Sequence, residues 1–177
     1  MKIENETLDS IYNRRSIRNY SNKELDNDTI KKLIDAAVQA PSAVNKQTWN
    51  FVVITEQSIK DEISDKLIYS KMVKRAPAAI LICGNLDKAL PGEAQDFWVQ
   101  DCSSATTNLL LAAHSLGLGA VWTGVYPSKE RTSFYKEILN LPDNIIPFAL
   151  IPVGYPDKEY PTKKYRSADE IHYNKWD

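Results

Sequence analysis

Residues 13–51 read NRRSIRNYSNKELDNDTIKKLIDAAVQAPSAVNKQTWNF, and the rest of the chain is read outward from them. Ile30, Leu33, Ile34, Ala37 and Val38 recur at helical spacing, and Asp26 stands where the N-cap of that helix belongs. Pro41 disfavours helical geometry at Ala40 and ends the helix. Phe51-Val52-Val53-Ile54-Thr55 follows as a β-branched run, which predicts a buried strand. One amphipathic helix therefore separates two polar segments, and both can face a single ligand.

The first segment gathers Arg14, Arg15 and Arg18 around Ser16. Guanidinium groups are planar, permanently charged donors and Ser16 adds a hydroxyl, a set suited to an anion. A plainer reading exists: Leu8, Ile11 and Tyr12 predict a short helix ending near Arg14, and cations are favoured at helix C-termini. The second segment, Ala40 to Trp49, offers amides, a hydroxyl and backbone groups, but no strong acid or base. Its plainer reading is a capping turn whose Ser and Asn bond their own backbone. Taken together, the two segments suit a heterocycle carrying a phosphate better than unaided acid–base chemistry.

Downstream, Ser58 is positioned to cap a helix with Ile59, Ile63 and Leu67 on one face, and Lys71, Lys74 and Arg75 read as solvated surface. Ala78 to Cys83 is a continuous apolar run between Pro77 and Gly84, hence a central strand. A short connection, Asn85 to Gly92, leads to a long helix from about Glu93 to Leu116, which at about two dozen residues reaches about 35 Å. Its second half, LLLAAHSL, is apolar nearly all round and predicts burial on all sides, in the core or at a subunit interface. His114 there reads as a satisfied core histidine. Gly117-Leu118-Gly119 stops the helix, and Ala120 to Gly124 enters a strand. Because this G-L-G follows a helix, it is not a dinucleotide-binding fingerprint. Ser128 caps a further helix with Phe134, Tyr135, Ile138 and Leu139 inward, and Pro142 ends that segment. Pro147 and Pro152 confine the apolar run Ile145 to Val153 to an edge or bulged strand. A polar tail with Lys163, Lys164 and Arg166 closes the chain. The elements do not alternate as βαβ units, so the pattern predicts an α+β sandwich rather than a Rossmann sheet.

A chain of 177 residues suits one domain. Its net charge of −1 provides no global field for nucleic acid or an anionic membrane, so a phosphate site must be local, which adds weight to the arginines. No apolar run approaches the ~18–20 residues needed to span a bilayer. Met1 to Ser10 carries Glu4, Glu6 and Asp9 and shows no signal-peptide core. Cys83 and Cys102, without a C-x-x-C, read as reduced buried thiols of a cytoplasmic protein, and neither His114 nor His172 shows a catalytic Cys–His signature.

The motifs R-R-S-I-R-x-Y at Arg14–Tyr20 and A-P-S-x-x-N-x-Q-x-W at Ala40–Trp49 resemble those of the FMN-dependent nitroreductase family. The run WVQDCSSATTNLLLAAHSLGLGAVWTG, from Trp98 to Gly124, is similar to that family's central helix and following strand. The likeness extends over roughly residues 7–170, and three motifs in order are far more specific than one. It implies an α+β fold with a central mixed β-sheet wrapped by helices, in an intertwined homodimer with flavin at the interface. Residues 1–177 would form a single FMN-binding domain, with 155–177 a tail packing over the core or the partner.

Carried over by position, the resemblance implies that Arg14, Arg15, Ser16 and Arg18 hold the FMN phosphate and ribityl chain, joined by Lys164 and Arg166. Pro41, Ser42, Ala43, Asn45 and Gln47 would contact the flavin, part of this turn coming from the partner. Thr123 and Gly124 would lie on the N5 side, where a backbone N–H stabilises developing charge. The implied activity is ping-pong reduction of nitroaromatic or quinone-like acceptors by NADH or NADPH through tightly, non-covalently bound FMN. No side chain is singled out as catalytic, and no metal is implied.

Three departures from the family pattern carry expectations. Thr48 replaces the common proline and predicts a less rigid turn. Thr123 stands where longer members carry an acidic residue. The brief Asn85–Gly92 connection leaves little room for a lid, which predicts an exposed flavin face and loose acceptor selection. Alternatives on the same fold are flavin cleavage, dehalogenation or azoline oxidation. Others are a non-enzymatic flavin- or anion-binding module, or a flavin-free protein whose arginines are salt-bridged.

Overall fold

In the computed structural model, residues 5–161 and 168–176 are described. Each early helix begins where a side chain satisfies an orphan amide. Asn5 Oδ1 accepts from Leu8 N–H at 3.0 Å to open α1 (Glu6–Asn13), and Asp26 Oδ1 accepts from Thr29 N–H at 2.6 Å to open α2 (Asn27–Ala37). The predicted stripe of α2 buries Ile30, Leu33 and Ala37, and the two large side chains stabilise by roughly 1.5–3 kcal/mol each. Ser58 does not cap the next helix. α3 (Gln57–Lys66) starts two residues earlier, with Glu56 at its N-cap, and the Ser58 hydroxyl donates to Glu56 Oε1 at 2.5 Å. Beyond a 3-10 stretch over Ile68–Arg75 the chain enters the sheet, with Lys71, Lys74 and Arg75 exposed as expected.

Five strands make the sheet: β1 (Trp49–Ile54), β2 (Ala78–Asn85), β3 (Gly119–Ala120), β4 (Thr123–Gly124) and β5 (Ile145–Gly154). Their order is β1-β2-β5-β3, with β4 also on β5, and these strands pair antiparallel. The parallel element of the expected mixed sheet is an isolated bridge, Ser16 to Ala120. β2 is buried on both faces, as its unbroken apolar run requires. Ala78, Ile80 and Ile82 meet α2 and the long helix α4 (Phe97–Ser115), while Ala79, Leu81 and Cys83 meet α3 and α5 (Lys129–Ile138).

β5 lies between β2 and β3, so its prolines do not confine it to an edge. Pro147 is accommodated by the other predicted device, a bulge, with the register stepping from Ile82–Ala149 to Cys83–Pro147, whereas Pro152 stays in plain register opposite Ala79. Phe148 is the extra residue, which is why Phe148 and Ala149, adjacent in sequence, both belong to the α4-side core. α4 starts at Phe97 rather than near Glu93, because Gly92–Asp96 wind as a tighter 3-10 turn. Its 19 residues span about 28 Å. It carries Thr106 through the core by returning the hydroxyl to the Cys102 carbonyl at 2.7 Å. Gly117, at φ 71, ends it in a Schellman motif, with Leu118 N–H on Ala113 O and Gly117 N–H on His114 O. No described helix is long and apolar enough to cross a membrane.

Candidate functional site

β4 forms one edge of the sheet, and strand alternation dictates what it presents there. The N–H groups of Val121 and Val125 both point into the sheet, to Pro152 O at 3.4 Å and Phe148 O at 3.1 Å. Gly124, in the opposite phase, therefore aims its N–H and C=O off the edge. Its carbonyl is taken there by Arg131 of α5, whose Nη1 donates at 2.7 Å. The same alternation buries Val121, Thr123 and Val125 and exposes Trp122, Gly124 and Tyr126. Nothing lies within 4 Å of where a Gly124 Cβ would sit, so an open floor lies between two aromatic residues. Trp122 packs edge-on against Phe148 at 5.6 Å, Phe148 against Trp98 at 5.9 Å, and Trp98 against Tyr126 at 4.8 Å. The bulged Phe148 thus anchors both walls. Gly84 makes room for this cluster, since a Cβ there would overlap the Trp98 ring.

The arginine segment joins the same edge through backbone. Ser16 bridges Ala120, and Ile17 N–H donates to Ala120 O at 3.0 Å. The buried Tyr20 hydroxyl lies 2.9 and 3.1 Å from the carbonyls of Ile17 and Pro152 and pins the segment to β5. Extended backbone sends alternate side chains to opposite sides. Arg15 and Ile17 line a cleft of about 570 Å³ with His114, Tyr155 and Lys158, and Arg14, Ser16 and Arg18 are not among its lining residues. Among the described residues none of these arginines forms an ion pair. His114 is half-buried in that cleft rather than in the core. Burial holds it below the ordinary imidazole range, with Asp9 opposing and Arg14 and Arg15 reinforcing.

The polar turn is braced from α4. The buried Asp101 carboxylate accepts from Ala43 N–H at 2.8 Å and from the Thr48 hydroxyl at 2.9 Å. Ser42 Oγ accepts from Gln47 N–H at 3.0 Å, and Gln47 Nε2 donates to Asn45 Oδ1 at 3.1 Å. Val44, Asn45 and Gln47 all adopt positive φ, which for a β-branched valine is strained and persists only when its surroundings over-determine it. Thr48, where the family pattern has proline, thus ties the turn to α4 through Asp101. The turn hangs on Asp101, whereas the arginine segment lies at the level of His114. These anchors are about thirteen residues apart on α4, roughly 20 Å. Within one chain the two polar segments sit at opposite ends of the helix.

The sequence profile of the Nitroreductase family matches residues 11–68 and 60–155. The chain belongs to the nitroreductase family. A Methanothermobacter thermautotrophicus protein, provisionally named NADH dehydrogenase/NAD(P)H nitroreductase, is 45% identical over 173 residues, spanning 97% of this chain and 88% of its own. A solved Parabacteroides distasonis protein of the same provisional name superposes with a TM-score of 0.91 at 40% identity, covering 98% of this chain and 100% of the other. A Desulfovibrio desulfuricans protein, provisionally called a nitroreductase and solved in complex with FMN, gives 0.83 at 28% identity over 98% and 99%.

On this nitroreductase-family chain, the segment carrying Arg14, Ser16 and Arg18 joins by backbone the edge that ends at Gly124, Arg15 lines the adjoining cleft, and Pro41, Ser42, Ala43, Asn45 and Gln47 form the braced turn. The Thr123 side chain is committed to the Leu150 carbonyl at 2.8 Å, and its backbone shares the inward phase of Val121 and Val125, so the off-edge groups here are those of Gly124. Lys164 and Arg166 lie outside the described residues. Sequence reasoning missed Asp101, Trp98, Tyr126, Phe148 and Arg131. Only Asp101 left a signal, as a lone carboxylate in an otherwise neutral helix. No group of three or more described His, Cys, Asp or Glu side chains is arranged to hold a metal ion.

Proposed function

We propose that the chain is an NADH- or NADPH-dependent oxidoreductase that binds FMN non-covalently and reduces nitroaromatic or quinone-like acceptors in ping-pong order, as a cytoplasmic homodimer. The carrying observation is the uncompensated cationic segment joined by the Ser16–Ala120 bridge to an open glycine floor. From Ala120 to Gly124 extended chain covers about 13 Å, which suits a phosphate linked through a five-carbon chain to a planar ring system. When bound, FMN supplies the hydride and two-electron chemistry that side chains cannot perform at neutral pH.

The residues' part is to bind, orient and polarise. Arg14, Ser16 and Arg18 hold the phosphate with charge-assisted hydrogen bonds worth about 1.5–3 kcal/mol each, joined by Lys164 and Arg166, with Arg15 contributing through its backbone. The off-edge N–H of Gly124 faces the polar edge of the ring, between Trp122 and Tyr126. Pro41, Ser42, Ala43, Asn45 and Gln47 reach the ring from the partner, a reading supported by the separation of the two segments along α4. Support for the second copy also comes from exposed apolar side chains at Leu8, Ile11, Val44, Phe97 and Leu116. Residues 1–177 are taken as one domain, with 155–177 its tail. Two buried free thiols favour a reducing compartment.

The purified protein is expected to be yellow, to release about one FMN per subunit, to sediment as a dimer, and to oxidise NADH or NADPH with a quinone as acceptor. A colourless protein that also fails to bind added FMN overturns the proposal.

A further inference from the structure

We infer that Arg131 is the acceptor-recognition residue of this edge, giving the enzyme a preference for oxidised acceptors that carry an anionic group. The inference rests on the flavin reading above and adds to it the charge class of the acceptor.

Arg131 sits in the first turn of α5, which packs on the sheet face opposite α4, yet it reaches the open edge to bond the Gly124 carbonyl at 2.7 Å. The N–H and C=O of one extended residue point the same way. A group docked at the Gly124 N–H therefore lies beside this guanidinium. Among the described residues Arg131 forms no ion pair, so its charge is uncompensated, and one contact to a carbonyl leaves most of its five donors for a ligand. Its other neighbour is the Tyr69 ring, 5.6 Å from the guanidinium carbon. Tyr69 and Ile68 are both 72% exposed, an apolar shelf beside a fixed cation at the rim of the glycine floor. A planar aromatic body on the shelf with a carboxylate toward Arg131 satisfies both features. An amide in its place satisfies only the first.

A bland role is available, in which Arg131 merely braces β4, and the test separates the two. The FMN-loaded enzyme is assayed with 4-nitrobenzoate and with 4-nitrobenzamide, acceptors of similar shape and different charge. In parallel, non-reducible benzoate and benzamide are titrated into the oxidised holoenzyme and followed by perturbation of the flavin absorption band. The kcat/KM ratio of nitrobenzoate to nitrobenzamide is expected to fall roughly tenfold or more in Arg131→Gln, the low end of what one hydrogen bond to a charged group contributes, and to persist in Arg131→Lys. The Kd of benzoate should rise by a similar factor while that of benzamide moves much less. Equal losses for charged and neutral ligands, or an unchanged ratio, overturn the inference and leave Arg131 a brace. A wild-type protein that retains no flavin overturns the flavin reading and this inference together.

Discussion

Removing the Asp101 carboxylate is the sharpest structural perturbation, because one buried group holds the polar turn at both ends. Asp101→Ala deletes hydrogen bonds to Ala43 N–H and the Thr48 hydroxyl, each worth about 1.5–3 kcal/mol to a charged acceptor. Two terms offset that loss. A carboxylate 3% exposed no longer has to be desolvated, and the strained backbone at Val44, Asn45 and Gln47 can relax. The balance is a net loss of about 2–3 kcal/mol, which for a chain of this length lowers Tm by roughly 4–12 °C. Asp101→Asn keeps the shape, accepts from Ala43 and donates to Thr48, and should lose only about 1 kcal/mol. Urea unfolding at fixed protein concentration measures each, and a cycle with Thr48→Val should give a coupling of at least about 0.5 kcal/mol. FMN retention should weaken in step, since the turn is proposed to contact the ring. A loss below about 0.5 kcal/mol in Asp101→Ala, or no coupling to Thr48, refutes the bracing argument.

Other perturbations follow from the same geometry. Gly124→Ala meets no atom within 4 Å, so unfolding should be unchanged while FMN affinity drops about tenfold or more, read by fluorescence titration. Gly84→Ala does the reverse: the new methyl overlaps the Trp98 ring, and overpacking should cost about 1–3 kcal/mol in denaturant unfolding. Burial pushes the Cys83 thiol up to about 12 and Cys102 higher still, with Cys83 and Asp101 adding to the latter, so neither should react with a disulfide reagent at pH 8 until the protein unfolds. Because both folded values exceed the ordinary 9.0, the thiols' contribution to stability is complete below that pH and lost as pH rises from about 9 toward 12. The alkaline decline should therefore be shallower in a Cys83→Ala, Cys102→Ala double variant.

Local physics made much of this chain legible before its structure. The stripe and cap of α2, the unbroken run of β2 and the glycine stop after α4 each depend on a few neighbouring residues, and each stands where the sequence put it. The failures are non-local. Pro147 in Ile145–Val153 signals an edge or a bulge, but which of the two a strand adopts is decided by its neighbours, and Pro152 keeps a plain register in an interior strand. The bulge that settled it also created the Phe148 anchor of the site. Arg131 and Asp101 act on backbone groups 7 and 58 positions away, contacts that no periodicity reports. The arginines could be recognised as a cluster, but that Arg15, and not Arg14 or Arg18, lines the cleft is visible only in the fold.

The most direct test of the central claim, that the free arginines hold a phosphate beside the glycine floor, is a comparison of FMN with riboflavin. Both are titrated into the apoprotein and into an Arg14→Gln, Arg18→Gln variant. Two charge-assisted contacts predict that the wild type prefers FMN by about 3–6 kcal/mol, roughly 10²–10⁴-fold. The variant should lose most of that preference and bind riboflavin as the wild type does. Equal affinity of the wild type for the two flavins would contradict the account and return the arginines to a structural role.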